Sequence, residues 1–170
     1  MEIVNKRQWK INKILHYLLR ERFKKKIDFN FPKNLDRWNL INEIILIKNF
    51  SSYLEIGCDN DDAFSKIKLK DKIGIDPHSG GNFRGTSDLF FQQNNKKFDC
   101  IFIDGLHEYD QVNKDILNSL NSLNQNGIIL LHDCLPKSMN QQAVPRFQMV
   151  WNGDVWKSIV KFRCRNDLDI

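Results

Sequence analysis

The sequence predicts an α/β protein whose core is a doubly wound, mostly parallel sheet. Two short apolar runs, residues 53–58 and 72–76, have the length and composition of buried strands, and further apolar runs follow at residues 98–104 and 127–133. Segments with helical spacing or turn signals separate these runs. Alternation of strands and helices is typical of a parallel sheet with helices on both faces.

The chain begins with a segment that differs from the rest in charge. Residues 1–27 predict a basic amphipathic helical leader, and residues 28–170 predict the main domain. The leader ends in Lys24, Lys25 and Lys26, and its apolar side chains follow helical spacing: Ile11, Ile14, Leu15, Leu18, Leu19 and Phe23. Residues 28–34 predict a linker.

Five further elements complete the predicted order. A helix is expected over residues 36–48, with Leu40, Ile44, Ile45 and Ile47 as its apolar face. Residues 83–86 predict a short strand, and Ser87 or Asp88 is expected to cap the helix that follows. Residues 108–123 predict the crossover helix, closed by Asn126 and Gly127. A last helix is expected over residues 154–162.

The net charge of +5 is unevenly distributed. Residues 1–26 carry nine Lys or Arg and two Glu, which leaves the rest of the chain with a charge of −2. One interpretation places the basic leader on nucleic acid or an anionic membrane surface. The other, which the lack of aromatic residues on its basic face favours, places the apolar stripe against the domain or a dimer partner while the lysines stay solvated. Nucleic acid is therefore not expected as a partner.

Composition is that of a globular domain of the cytoplasm. The chain has 170 residues, of which 41% are hydrophobic, so it can bury one core. No apolar run approaches the ~20 residues that a bilayer span requires. The four cysteines are far apart in sequence and several lie in apolar strands, which predicts reduced thiols and no zinc site: Cys58, Cys100, Cys134 and Cys164.

Two residues at the ends of the first two strands predict a nucleotide pocket. Gly57 would let a ligand approach the backbone at the start of the next helix, and Asp76 would bind the hydroxyls of a ribose. The turn has one glycine where a dinucleotide site has three, and it contains three carboxylates, at Asp59, Asp61 and Asp62. These carboxylates would repel a pyrophosphate, although each could also simply cap the next helix.

A cationic ligand suits this turn better than a phosphorylated one. S-adenosylmethionine carries a sulfonium and an ammonium group and no phosphate. The sequence therefore favours S-adenosylmethionine over the alternative of an NAD(P)-dependent oxidoreductase. A non-catalytic nucleic-acid-binding module is a second alternative, and it depends on the leader alone.

With these motifs the sequence resembles the class I S-adenosylmethionine-dependent methyltransferases. Residues 98–109, which read FDCIFIDGLHEY, resemble the fourth-strand motif of a subfamily that includes the macrocin and mycinamicin sugar O-methyltransferases. Residues 127–133, GIILLHD, resemble its fifth strand. The resemblance covers roughly residues 50–165 and implies a Rossmann-like sheet. One departure is Asp59, where family members often have a second glycine.

The resemblance implies roles for particular residues. Glu55 and Gly57 would bind the methionine part of the cofactor, although Glu55 could instead be a buried structural carboxylate, and Asp76 would bind the ribose. Ser87 and Asp88 occupy the positions at which members of the fold contact adenine. Asp104 and Asp133 would hold a divalent metal, with Mg²⁺ suited to their oxygen ligands, and His107 would be the general base. His132 stands where some relatives have a glutamate, so it is either a third ligand or an orienting residue.

The resemblance also sets expectations for the acceptor and for assembly. The acceptor would be a sugar or another polar small molecule. A polar and aromatic cluster could line its pocket, unless Asp154 only caps the last helix: Gln148, Trp151, Asp154, Trp156 and Lys157. Class I sheets have a hairpin of strands six and seven, for which we find no counterpart, so the domain is expected to be short or incomplete. An uncovered strand five would favour a homo-oligomer.

Overall fold

The computed structural model describes residues 5–19, 28, 30 and 35–170, so the end of the predicted leader and most of the linker lie outside the described residues. The helices of the described part are α1 (Lys6–Leu18), α2 (Arg37–Lys48), α3 (Ser87–Gln93), α4 (Tyr109–Asn121) and α5 (Trp156–Phe162). The strands are β1 (Ser52–Ile56), β2 (Asp71–Asp76), β3 (Phe83–Arg84), β4 (Phe98–Ile103) and β5 (Leu123–Leu131).

The five strands form one sheet in the order β3-β2-β1-β4-β5, and every pair is parallel. This confirms the predicted doubly wound α/β fold. The chain builds the sheet outward from β1 in one direction and then returns to add β4 and β5 on the other side. A ligand in such a sheet binds outside the carboxyl ends of the strands where the order reverses, which here is beside β1.

The two central strands carry the core. All five residues of β1 are buried, and β4 is buried at every residue but Asp99. Helix α2 packs on this core through Ile41 and Ile45, which are fully buried or nearly so. The predicted apolar face of this helix was therefore partly wrong, because Leu40 and Ile47 are exposed.

A carboxylate joins the amino ends of the central strands, at the edge opposite the predicted site. Asp99 accepts hydrogen bonds from the backbone and hydroxyl groups of Ser51 and Ser52, and its other oxygen accepts one from Asn124. Although burial acts to raise its pKa, these hydrogen bonds lower the pKa of Asp99 to about 2.

Two connections differ from the prediction. The segment between β1 and β2 contains a single 3-10 turn, Phe64–Lys66, instead of an α-helix. Asn126 and Gly127 do not close α4, which ends at Asn121. They lie inside β5, where the register with β4 shifts and Asn126 adopts a φ of 63°. This is the local irregularity that an Asn-Gly pair tolerates well.

By its contacts the described chain divides into two compact units. Residues 35–106 and 112–132 form the sheet unit, and residues 5–19, 107–111 and 133–170 belong to the second unit. No helix in the described residues is both long and apolar enough to cross a membrane. All four cysteines are free thiols, as predicted.

Candidate active site

The carboxyl ends of the strands of the sheet unit are in register. Ile56 of β1 lies opposite both Ile75 of β2 and Ile103 of β4, and Ile103 lies opposite Leu131 of β5. Gly57, Asp104 and His132 are the residues that follow β1, β4 and β5. Their backbone N–H groups each donate a hydrogen bond to the last or next-to-last residue of a neighbouring strand. The aligned edge therefore collects polar side chains that are far apart in sequence.

The Gly57 turn is tight because two strands leave the sheet close together. Gly57 has a φ of 89°, and a Cβ atom there would lie 2.2 Å from the carbonyl oxygen of Asp104. Glycine is required at this position. Asp59 has a φ of 45°, in the left-handed region. Aspartate tolerates this conformation better than most residues, which explains how the turn forms without a second glycine.

Asp76 joins the two loops that follow β1 and β2. One oxygen accepts from the backbone N–H of Asp59 at 3.0 Å, and the other accepts from those of His78 and Ser79 at 2.8 and 2.9 Å. Burial acts to raise the pKa of this carboxyl, but the three amides and the nearby Arg84 hold it below its usual value. An ionised carboxylate accepts about four hydrogen bonds, so one further position remains for a ligand.

Glu55 lies at the end of β1 and is almost completely buried, with 1% of its surface exposed. The phenol of Tyr53 donates a hydrogen bond to its carboxylate at 2.6 Å. Burial raises the pKa of Glu55 to about 7 against the lowering effect of that hydrogen bond, and the charge of Asp104 raises it further. The hydrogen-bond partner of this buried carboxylate is thus the side chain of Tyr53.

The two residues predicted to contact adenine lie in different surroundings. Ser87 is buried, and its hydroxyl donates to the carboxylate of Asp115 at 2.6 Å. Asp88 is more exposed and lies 3.7 Å from Lys114. Neither residue is the N-cap of α3, which is Thr86, whose hydroxyl accepts from the N–H of Leu89.

Asp104, at the end of β4, lies between two basic side chains. The guanidinium of Arg37 is 3.2 Å from one carboxylate oxygen, and Nδ1 of His132 is 3.0 Å from the other. This geometry fits the orienting role that we considered for His132. Sequence reasoning missed Arg37, although the first position of a helix is electrostatically unfavourable for a cation, and that was a usable signal.

His107 and Asp133 come together in the second unit. Nδ1 of His107 is 3.1 Å from a carboxylate oxygen of Asp133, and Asn152 donates to the other oxygen at 2.6 Å. The imidazole stacks on Trp151 with 5.5 Å between ring centroids. A proton on Nδ1 that faces Asp133 leaves Nε2 as the basic nitrogen, which is the tautomer a general base requires.

The loop that precedes α5 holds His107 in place. The backbone N–H of Asp154 donates to the carbonyl oxygen of His107, and a Cβ on Gly153 would lie 1.6 Å from that oxygen. Asp154 does not cap α5, whose N-cap is Val155. Its carboxylate accepts instead from the N–H of Tyr109, the first residue of α4, at 2.6 Å, and also from Lys157 at 2.9 Å.

Part of the predicted acceptor cluster is occupied by contacts within the second unit. The indole of Trp151 donates to the carbonyl oxygen of Ala143, and the amide of Gln148 donates to that of Val150. Trp156 donates to the side chain of Gln142. Trp151 is the member of this cluster that contacts His107, so it is the best candidate for the acceptor pocket.

Residues 61–134 match the model of a methyltransferase domain family. The matched segment begins in the loop after Gly57 and contains Asp76, Ser87, Asp88, Asp104, His107 and Asp133. It supports the coarser prediction of a methyltransferase, whereas the sugar O-methyltransferase subfamily stays a prediction.

The chain is also similar in structure to an S-adenosylmethionine-dependent methyltransferase from Clostridium acetobutylicum ATCC 824. The two are 19% identical with a TM-score of 0.46, and the similarity covers 72% of this chain and 55% of that one. The chain thus spans about half the length of that protein. No curated protein matches the sequence.

Proposed function

We propose that the chain is an S-adenosylmethionine-dependent methyltransferase that methylates a hydroxyl group of a sugar or a similar polar small molecule. The observation that carries the proposal is the joined pair of loops at the carboxyl ends of β1 and β2. There the Gly57 turn approaches the end of β4, and the ionised Asp76 binds the turn through the N–H of Asp59. The family match over residues 61–134 supports the same activity.

The electrostatics of these loops fit a cation that carries a ribose. Asp76 has one hydrogen-bonding position left, which a ribose hydroxyl would fill. Glu55 would face the methionine part, and a bound ammonium would favour its ionised form. Ser87 and Asp88 are the proposed contacts to adenine at the start of α3. The carboxylates of Asp59 and Asp61 would attract a sulfonium, whereas they would repel a phosphate.

The same loops disfavour a dinucleotide. A pyrophosphate binds where backbone N–H groups at the start of a helix point at it. Here Gly57 is followed by turns and the three residues of Phe64–Lys66, so no α-helix begins at this turn. An NAD(P)-dependent oxidoreductase therefore remains the weaker candidate.

His107 is the proposed general base. The acceptor oxygen would attack the methyl carbon of the sulfonium, the C–S bond would break as the C–O bond forms, and the hydroxyl proton would pass to Nε2 of His107. Asp133 would hold the imidazole in the tautomer that leaves Nε2 basic, and it would stabilise the imidazolium that forms. The neutral thioether S-adenosylhomocysteine would be the second product.

A divalent metal at Asp104 and Asp133 is part of the proposal that the resemblance implies. Carboxylate oxygens suit Mg²⁺, and both residues follow neighbouring strands of the sheet. The guanidinium of Arg37 beside Asp104 and the Nδ1 of His107 beside Asp133 already contact these carboxylates, so they would compete with the ion. When bound, the metal would lower the pKa of the acceptor hydroxyl and orient it.

Self-association is the last part of the proposal. Strand β5 is at the edge of the sheet and has no second neighbour among the described residues. A long uncovered edge favours pairing with another strand, so we propose a homo-oligomer that covers β5.

Methyl transfer tests the proposal directly. Purified protein would be incubated with methyl-labelled S-adenosylmethionine and a panel of sugars, nucleotide sugars and polyols, and labelled products would be detected by mass spectrometry. His107→Gln should reduce the rate by roughly 100- to 10,000-fold through loss of the base. The matched control is His78→Gln, because His78 is exposed and has no proposed role. Equal activity of the two variants would remove His107 from the mechanism.

Chelation tests the metal separately. If a divalent ion takes part, EDTA should abolish turnover and added Mg²⁺ should restore it, while binding of S-adenosylmethionine is unchanged. Full turnover in EDTA would contradict the metal and leave the His107–Asp133 pair as the catalytic group.

A further inference from the structure

Helix α1 presents its polar side to the protein and its apolar side to the solvent. Asn12 and His16 are its buried residues. Asn12 donates to the carbonyl oxygen of Arg146 at 2.7 Å, and Nε2 of His16 lies 3.2 Å from that of Pro145. His16 also packs on the ring of Phe147. The helix is therefore anchored to the second unit through its polar face.

The apolar side chains of α1 lie on the opposite face. Ile11, Ile14, Leu15 and Leu18 are 44, 58, 47 and 67% exposed. At 100° per residue these four positions share one face, about opposite to that of Asn12 and His16. The described stripe therefore does not cover the second unit, and the other part of that interpretation of the leader, a dimer partner, stays a prediction. We call these four side chains the α1 apolar face.

Basic residues flank the α1 apolar face. Lys6, Lys10 and Lys13 lie together on one side of the α1 apolar face, Arg7 lies in line with that face one turn before Ile11, and all four are exposed. Helix α1 contains no acidic residue. The sequence after α1 adds Arg20, Arg22, Lys24, Lys25 and Lys26, with only Glu21 of opposite charge.

This charge decides which occupant fits. A second copy of α1 would bring two apolar faces together, but it would also bring two sets of like charges together without an acidic partner on either helix. Nucleic acid would satisfy the charges, and Tyr17, which is 78% exposed and lies on the side of Lys10 and Lys13, offers a ring for a base to stack on, but the α1 apolar face would stay in water. An anionic bilayer surface satisfies both, because apolar side chains enter the acyl boundary while lysines contact the headgroups.

We propose that α1 is an interfacial helix that binds the chain to the surface of an anionic lipid bilayer. The α1 apolar face enters the boundary between headgroups and acyl chains, and Lys6, Lys10 and Lys13 contact acidic headgroups. The helix lies on the membrane and does not span it. This inference does not depend on the methyltransferase activity.

Vesicle flotation of the full chain tests the proposal. Vesicles of phosphatidylcholine alone would be compared with an equal mixture of phosphatidylcholine and phosphatidylglycerol. Binding is expected only to the mixture, and it should weaken as salt is raised and the charges are screened. Lys10→Gln with Lys13→Gln should lower the partition coefficient for the mixture on the order of tenfold.

The apolar contribution has a matched control. Ile14→Ser with Leu18→Ser should also lower the partition coefficient by at least about tenfold, since two apolar side chains no longer enter the bilayer. Leu46→Ser with Ile47→Ser should leave it unchanged, because these residues of α2 are 76 and 75% exposed but lie on a helix whose basic residues are only Lys48 and Arg37, which pairs with Asp104. All four positions are exposed, so the variants should fold, which circular dichroism would check.

Three results would overturn the proposal. One is equal or absent binding to the two kinds of vesicle. Another is salt-dependent binding to an oligonucleotide without binding to vesicles, which would make nucleic acid the occupant. The third is a change of oligomeric state, measured by light scattering, in the Ile14→Ser, Leu18→Ser variant but not in the α2 control, which would make a second copy of the chain the occupant.

Discussion

Glu55 and Asp76 are carboxyl groups at the ends of neighbouring strands, and their surroundings shift their pKa values in opposite directions. Burial without backbone donors raises the pKa of Glu55 to about 7, whereas three backbone amides lower the pKa of Asp76. At neutral pH, Asp76 is therefore a fixed negative charge, and Glu55 can exchange a proton as a ligand binds.

The raised pKa of Glu55 predicts a pH-dependent stability. A carboxyl whose pKa is higher in the folded state favours folding below its unfolded value of 4.5, and this contribution is lost as pH rises toward 7. Glu55→Gln removes the titration and keeps an acceptor for Tyr53. The difference in free energy of unfolding between wild type and variant should fall by on the order of 3 kcal/mol across this range. Urea unfolding at several pH values measures it, and parallel curves would contradict the prediction.

Asp76 predicts a loss of cofactor affinity. Asp76→Asn removes the charge but keeps one oxygen, and it should weaken binding of S-adenosylmethionine by roughly 1.5 to 3 kcal/mol through the loss of a charge-assisted hydrogen bond. Asp71→Asn is the control, because Asp71 begins the same strand at its other end and pairs with Lys96 there. Unchanged affinity in Asp76→Asn, measured by isothermal titration, would move the pocket elsewhere.

At the level of single residues, the sequence was informative where the chemistry follows a strand. Asp76, Asp104 and His132 each come directly at the carboxyl end of a strand, so strand prediction alone brings them to one edge. Arg37 and Tyr53 were missed, because their contacts with Asp104 and Glu55 depend on how α2 and the side chains of β1 pack. The pairing of His107 with Asp133 depends on the loop after β5, for which the sequence offers no register.

Among the elements, α4 shows how a residue that is distant in sequence can cap the start of a helix. Its first N–H, at Tyr109, is bound by Asp154, which is 45 positions later in the chain. The sequence prediction assigned Asp154 to the nearest following helix, since capping signals are interpreted locally. For α3 the predicted N-cap, Ser87 or Asp88, was one or two residues too late, because the N-cap is Thr86. For α4 the residue that binds its first N–H is Asp154, which is distant in sequence and reaches Tyr109 only through the tertiary structure.

This cap predicts a measurable loss of stability. Asp154→Ala removes the acceptor for the Tyr109 N–H and should lower the free energy of unfolding by about 1 to 2 kcal/mol. Asp167→Ala is the control, because Asp167 is fully exposed and contacts only the neighbouring Arg165 among the bonds described for it. Since α4 begins two residues after His107, Asp154→Ala should also reduce turnover. Equal stability of the two variants in denaturant titration would contradict the capping role.

For the whole molecule, the sequence predicted the sheet better than its connections. Strands buried on both faces leave continuous apolar runs, such as residues 100–103, and these are visible without knowledge of the fold. The 3-10 turn after β1 and the bulge at Asn126 leave no such pattern. Both depend on the positive φ angles of Asp59, Asp61 and Asn126, which are set by the surrounding structure. Charge separation between the leader and the domain was visible in the sequence, but the orientation of α1 was not.

Binding of S-adenosylmethionine underlies the roles proposed for Glu55, Asp76 and His107, and parallel isothermal titrations with S-adenosylmethionine and NADH test it. We expect the full chain to bind S-adenosylmethionine and not NADH, because the loops after β1 and β2 combine an ionised Asp76 and further carboxylates with no α-helix start for a pyrophosphate. Near neutral pH, binding should also release protons as Glu55 ionises, so the measured enthalpy should change with the ionisation enthalpy of the buffer. Binding of NADH without binding of S-adenosylmethionine would make the pocket a dinucleotide site and exclude methyl transfer from S-adenosylmethionine.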